Sequence, residues 1–565
     1  MGESLEILIK NGYVYDPING IKGEVIDIAI KNGKIVEESE INIRKAKVID
    51  ASHKVVMPGG VDIHSHIAGP KVNTGRIMMV NDHYRSFMRA RLPVRRSGTG
   101  KYTPSTYITG YRYARMGWTT VIEPASPPLK MRHTHEELND IPIIDKAVLV
   151  LVDSNRILLK YLSEGNYERC KAFVKWLLTA TKSYGLKLVD PGSAVPWSWG
   201  KGGPDIDDVI EPYEITPREI VRSLCDVAEE LKLPHPIHVH CNRLGVPGNY
   251  ETVIKTMKAV PSSETVNLHL THLQFNSYAG EDWSKVSSGA EDITKYANTH
   301  RNISLDIGQI DFGTAITMTA DAPFEFALYH IARWKWTGAD VEAEAAAGIV
   351  PYKYRKKNIV NALQWCIGLE LALLTEDPWR VIVTTDHPNG APFTRYPKII
   401  ALLMSKEFRE RIIKKLNRVA VKRSVLPSID REYNLYEVAV ITRAAPAKLL
   451  GLDRAKGHLG VGADADVAIY DIDPDVVDPS KDYEKVIKAF KRASCTIKDG
   501  VIVVKDGEVV QETYGRTFYV KFEEEVDEEL TKELNEFFKE WYSVELENYI
   551  IDEDELKRPC AIIAQ

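Results

Sequence analysis

Six side chains able to bind a metal ion or move a proton recur where short apolar runs end. In GGVDIHSHIAGP, residues 59–70, Val61-Asp62-Ile63-His64 reads as a strand that runs out before Gly69 and Pro70. Side chains alternate along a strand, so His64 and His66 share a face and can bind one ion. PIHVHC (236–241) brings His240 to the end of a second run, and LHLTHLQF (268–275) brings His272 to a third. VIVTTDHP (381–388) supplies Asp386, and SYGLKLVDPG (183–192) supplies Lys187.

Each residue also has a plain reading. A histidine pair two apart is common where a strand meets a loop, and Asp386 alone could cap a helix. His238 shares a face with His240 but lies deeper, as a hydrogen-bond donor to the site or a core residue. His269, three before His272, is expected to face away and pack. Lys187 on an inward face is costly unless paired or modified. A lysine carboxylated by CO2 can bridge two cations through its carbamate oxygens. Four neutral imidazoles, one carbamate and Asp386 suit two zinc ions about 3.5–4 Å apart. His64, His66, the carbamate and Asp386 would hold one; the carbamate, His240 and His272 the other. A bridging water, its pKa lowered toward about 7, would be the nucleophile, with Asp386 passing its proton to the leaving nitrogen.

The elements that must position these groups follow a βα rhythm. Strands are expected at 61–66, 119–124, 147–152, 186–191, 236–241, 266–273, 303–308 and 380–387. Helices are clearest at 168–184, 217–232, 357–375 and 397–416, the second opening on a Thr216-Pro217-x-Glu219 capping box. Eight such units predict an α/β fold, a TIM-like (β/α)8 barrel whose C-terminal strand ends gather all six residues. A doubly wound sheet would want a Gly-rich phosphate loop, which the chain lacks. Both chain ends instead alternate apolar and polar residues around Asn11-Gly12, Asn32-Gly33, Asp499-Gly500 and Asp506-Gly507, which read as hairpin turns. The expected organisation is a β-sandwich part at 1–57, the barrel at 58–440, the second sandwich part at 441–519 and a helical surface extension at 520–565.

Insertions at 67–116 and 309–356 fall after strands, on the catalytic side. The first holds Arg76, Arg85, Arg89, Arg91, Arg95, Arg96, Arg112 and Arg115. They suit either an acidic substrate tail or a solvated or subunit-contacting surface. Asn242 and Arg243 are expected to line the pocket.

With 565 residues and a formal net charge of −6, the chain gives no reason to expect nucleic-acid binding. No apolar run is long enough to span a bilayer, and no signal peptide is evident. The six cysteines are scattered without C-x-x-C, which argues against a disulfide framework, Cys-ligated zinc and iron–sulfur clusters and fits the cytoplasm.

The set of HSH on strand 1, lysine on strand 4, histidines on strands 5 and 6 and aspartate on strand 8 resembles the amidohydrolase superfamily over residues 5–515. Further runs, MPGGVDIHSHIAGPKVN, PIHVHCNRLGVPGNYE, AGIVPYKYRKKNIVNALQW and TTDHPNGAPFTRYP, are similar to the A-subunit family of formylmethanofuran dehydrogenases. That resemblance implies a dinuclear zinc enzyme that condenses formate with the amine of methanofuran, in methanogenesis. It implies N-formylmethanofuran as product, and partner subunits with iron–sulfur clusters and a molybdenum or tungsten pterin that supplies formate. A component of a bacterial formyltransferase/hydrolase complex, another N-acyl or cyclic-amide hydrolase, and a scaffold subunit without catalysis remain alternatives.

Overall fold

The computed structural model describes residues 6–85, 87–88, 96–341, 345–524 and 527–564. Eight parallel strands run β1 Gly60–Asp62, β2 Trp118–Ser126, β3 Asp145–Leu151, β4 Gly185–Val189, β5 Ile237–His240, β6 Leu268–Leu270, β7 Ile303–Asp306 and β8 Val381–Ile382. They pair in chain order. A parallel bridge between Ser65 and His387 joins the first to the last, with the His66 N–H donating to the His387 carbonyl at 2.7 Å. Each expected strand is present, the first, sixth and last much shorter than expected. β3 is buried throughout, as a parallel strand covered on both faces should be. Gly60 opens β1 because a Cβ there would lie 2.5 Å from the Trp118 ring.

Helices fill the crossovers. Pro217–Glu230 starts at the expected capping box and buries Ile220, Val221, Leu224 and Val227 on its barrel side. Each such side chain stabilises the fold by about 1.5–3 kcal/mol on burial. The helix expected at 397–416 is two, Tyr396–Met404 and Lys406–Ile413. Ser405 between them is extended and caps the second by accepting from the Phe408 N–H.

Both chain ends build one nine-stranded sheet, with Val55–Pro58 antiparallel to Val467–Tyr470 at the seam. Asn32-Gly33, Asp499-Gly500 and Asp506-Gly507 all take positive φ, as tight hairpin turns require. Asn11-Gly12 does not turn the chain. It is a bulge inside strand Glu6–Asp16, where the register against Ile21–Lys31 shifts. The C-terminal segment carries the helix Glu528–Trp541, but also returns as strand Pro559–Ile563 beside Thr517–Lys521, which extends the barrel sheet from β3. The insertion at 309–356 is a three-stranded sheet with helix Ala322–Ala332, and it covers the C-terminal strand ends.

Candidate metal centre

His64, His66, Lys187, His240, His272 and Asp386 line one chamber. None is more than 4 % exposed. Its free space is about 20 Å³, little more than a single water needs. Asp386 Oδ1 lies 3.1 Å from His64 Nε2 and 3.5 Å from His66 Nε2. The His240 and His272 rings meet edge to face at 4.6 Å. One ligand atom each of His64, His272 and Asp386 fall within 4.8 Å of one another.

Two of the six sit on strained backbone. His272 has φ +36° and Asp386 φ +46°, the left-handed region that non-glycine residues enter at a cost of about 1–3 kcal/mol. Gly308 makes room for the first, since a Cβ there would lie 2.4 Å from that of His272. This turn also corrects the expectation for His269. β6 ends at Leu270, so alternation does not carry on to His272, and His269 points inward with its ring 4.6 Å from that of His238.

Burial holds all four imidazoles well below their ordinary pKa, aided by Lys187 at His64 and His240, Lys71 at His66 and His240 at His272. They are neutral and keep a lone pair for a cation. Burial lowers Lys187 to about 7 against the pull of Asp306 and Asp386, and its Nζ has no hydrogen-bond partner. Burial pushes the Asp386 carboxyl well above its usual range, with the Asn389 amide, which donates at 2.8 Å, opposing. His272 Nδ1 is also without a partner.

A second ring of groups holds these in place. Glu123 on β2 takes His66 Nδ1 at 2.9 Å and the Ile67 and Ala68 N–H groups at 2.7 and 3.0 Å. His64 Nδ1 lies 2.9 Å from His238 Nε2 and also meets the Thr271 hydroxyl. His238 Nδ1 lies 3.0 Å from His235 Nε2, and His235 Nδ1 lies 3.1 Å from the Leu449 carbonyl. Asp321 of the second insertion reaches His240 Nε2 at 3.3 Å. Glu123 had a signal in the sequence, as the one charge in an apolar strand. Asp321, Lys71 and Glu325, the last two also lining the chamber, had none.

A neck formed by Leu244, Phe275 and Phe324 separates the chamber from a vestibule of about 670 Å³. Trp283, Leu328, Tyr352 and Arg243 line this outer space. Asn242 instead braces Asp190, donating at 2.8 Å. Among the insertion arginines, Arg76 pairs with Glu137 at 2.8 Å, Arg115 donates to the Gly507 carbonyl at 2.9 Å, and Arg96 reaches Glu512 at 3.8 Å. Arg89, Arg91 and Arg95 lie outside the described residues, and so does the Arg85 side chain.

Comparison with known proteins places this geometry. Residues 47–504 match the profile of the Amidohydrolase family. The chain belongs to the amidohydrolase family. Within it the chain is 49 % identical over 561 residues to protein FwdA of Methanocaldococcus jannaschii, covering 97 % of each. It is 37 % identical over 550 residues to the A component of the formyltransferase/hydrolase complex Fhc of Methylorubrum extorquens, covering 96 % of each. The crystal structure of that FhcABCD complex with methylofuran contains a chain that superposes with a TM-score of 0.89 at 35 % identity, over 99 % of this chain and 100 % of the other. This amidohydrolase thus groups with FwdA and the A component of Fhc, as the sequence resemblance implied. Among the described residues, no helix is long and apolar enough to cross a membrane.

Proposed function

We propose that the chain is the amidohydrolase component of a formylmethanofuran dehydrogenase. It would join formate to the amine of methanofuran and, in reverse, cleave N-formylmethanofuran with water. The observation that carries this reading is the single chamber shared by four neutral imidazoles, the Asp386 carboxyl and the unpartnered Lys187 nitrogen. The donors fit two zinc ions, which take neutral imidazole and carboxylate readily. Lys187 carboxylated by CO2 would add the bridging carboxylate from a nitrogen that bonds nothing else. His64, His66, Lys187 and Asp386 would hold one ion, and Lys187, His240 and His272 the other. When bound, the pair supplies a Lewis acid for the formyl oxygen and water of lowered pKa.

The chain's own groups do the rest. Asp386 would take the proton of the attacking water and return it to the leaving nitrogen, its carboxyl lying 3.1 Å from His64 Nε2 and 3.5 Å from His66 Nε2. Asn389 keeps its carboxyl aimed. Leu244, Phe275 and Phe324 keep bulk water out of the chamber. The vestibule of about 670 Å³ suits the rest of a long amine. The FhcABCD relative, a complex with methylofuran, supports a multi-subunit setting, and the scattered cysteines suit the cytoplasm. There, iron–sulfur subunits and one carrying a molybdenum or tungsten pterin would supply formate.

The test is formate release from N-formylmethanofuran by the full chain with zinc and bicarbonate, beside Lys187→Ala. Release by the wild type, with both activity and one or both zinc ions lost in the variant, is the expected result. Full activity with two zinc ions in Lys187→Ala would overturn the reading.

A further inference from the structure

Two more ionisable side chains line the chamber with a polar atom that bonds nothing. They are Lys71 on helix Pro70–Met78 and Glu325 on helix Ala322–Ala332. Each comes from one of the two insertions. Lys71 Nζ and Glu325 Oε1 are buried without a hydrogen-bond partner, a costly state that a ligand would relieve.

The hydrogen bonds of Glu325 define what it can offer. Its Oε2 lies 2.8 Å from the Thr317 hydroxyl, which also lies 2.9 Å from the Val350 carbonyl. A hydroxyl has one hydrogen, and a carbonyl can only accept. The Thr317 hydrogen is shared between Val350 and Oε2, which satisfies Oε2 and leaves Oε1 without a partner. Burial pushes Glu325 well above the usual carboxylate range, with the Thr317 hydroxyl opposing it and Asp321 and Asp386 adding to it. Oε1 keeps a lone pair that no hydrogen bond uses. Lys71 Nζ donates in either protonation state. Beyond the six residues already described, Lys71 and Glu325 thus add one unused donor and one unused acceptor to the chamber.

We propose that Lys71 and Glu325 form a recognition pair for a secondary amide, Lys71 donating to the acyl oxygen and Glu325 Oε1 accepting from the amide N–H. Formate alone has no hydrogen to give Oε1, so the pair reads the amide rather than the acid. This inference rests on the reading of the chamber as a formyl-amide site.

The experiment titrates the zinc-loaded full chain with N-methylformamide and with N,N-dimethylformamide, which lacks the N–H, by saturation-transfer NMR. Wild type should prefer the first by about 10-fold. Glu325→Gln keeps an acceptor and a donor to Thr317, so it should keep the preference; Glu325→Leu should erase it. Lys71→Met should weaken both ligands by about 10-fold and leave the preference and the zinc content unchanged. Equal affinities in the wild type, or a preference that survives in Glu325→Leu, would overturn the pair. Formate release from N-formylmethanofuran reports separately: preference without turnover upholds the pair and removes the function, and turnover without preference does the reverse.

Discussion

Two buried clusters of charge lie at opposite ends of the barrel, and the chain treats them in opposite ways. At the N-terminal end, Asp145 of β3 meets Lys456, Lys498 and Arg516. Lys456 also reaches Asp464 at 3.0 Å and Asp466 at 2.5 Å, and Lys498 reaches Asp466 at 3.1 Å and Asp499 at 2.7 Å. These residues come from the barrel and the β part, and Arg558 of the C-terminal segment adds a contact to Asp499 at 3.0 Å, so the cluster ties three parts of the chain together. At the C-terminal end, Lys187 and Lys71 are buried among carboxyls and bond to none of them. Three of the first cluster's carboxylates, Asp145, Asp464 and Asp499, could also hold a metal by spacing alone, but lysine and arginine already occupy them. The difference separates structure from function better than burial or charge does. Charges that meet opposite charges hold the fold, and buried lysines left without a partner are open to a ligand.

The largest expected effect comes from the unsatisfied end. Asp386→Asn should cut formyl hydrolysis by about 10²–10⁴-fold while the melting temperature stays near that of wild type. Lys456→Met should do the opposite. It leaves Asp145 and Asp466 short of a counter-charge, at about 3–5 kcal/mol of stability by denaturant titration, with zinc content unchanged. A variant of either kind that moved both readouts equally would break the contrast. Glu123→Gln should weaken zinc binding by about 10–100-fold, read by competition with a chelator, because His66 loses its carboxylate partner.

The smallest effect is that of pH. Burial would raise the pKa of Asp145, but Lys456, Lys498 and Arg516 outweigh it and hold the carboxyl well below its ordinary value; Asp464 is lowered in the same way by Lys456 and Arg516. A lowered folded pKa gives stability that is present above the unfolded value of about 4 and lost as pH falls through the folded one. Denaturant midpoints should therefore drop below pH 4, and less steeply in Asp464→Asn. An unchanged slope in that variant would remove Asp464 from the clamp.

The sequence made the barrel legible because each strand is a short apolar run closed by turn residues. It made the six chamber residues legible because five sit at or just past the end of such a run and Lys187 is a lone charge inside one. What lay beyond it has physical causes. Lys71, Asp321 and Glu325 reach the chamber from insertions, whose path depends on contacts far apart in the chain. Alternation puts His269 on the wrong face because it holds only while the backbone stays extended, and His272 leaves it. Asn11-Gly12 has the composition of a hairpin turn, yet the same positive φ at Asn11 serves a bulge when the strand goes on past it.

The row of rings from His64 through His238 to His235 ends on the Leu449 carbonyl, and that end gives the row a direction. An oxygen with no hydrogen obliges His235 to protonate Nδ1 and accept at Nε2. His238 must then donate from Nδ1 and accept at Nε2, and His64 must carry its hydrogen on Nδ1. Only Nε2 of His64 is left bare, the nitrogen that faces Asp386. A backbone atom at the end of helix Ala445–Leu449 thus selects, through two intervening imidazoles, which tautomer the chamber receives.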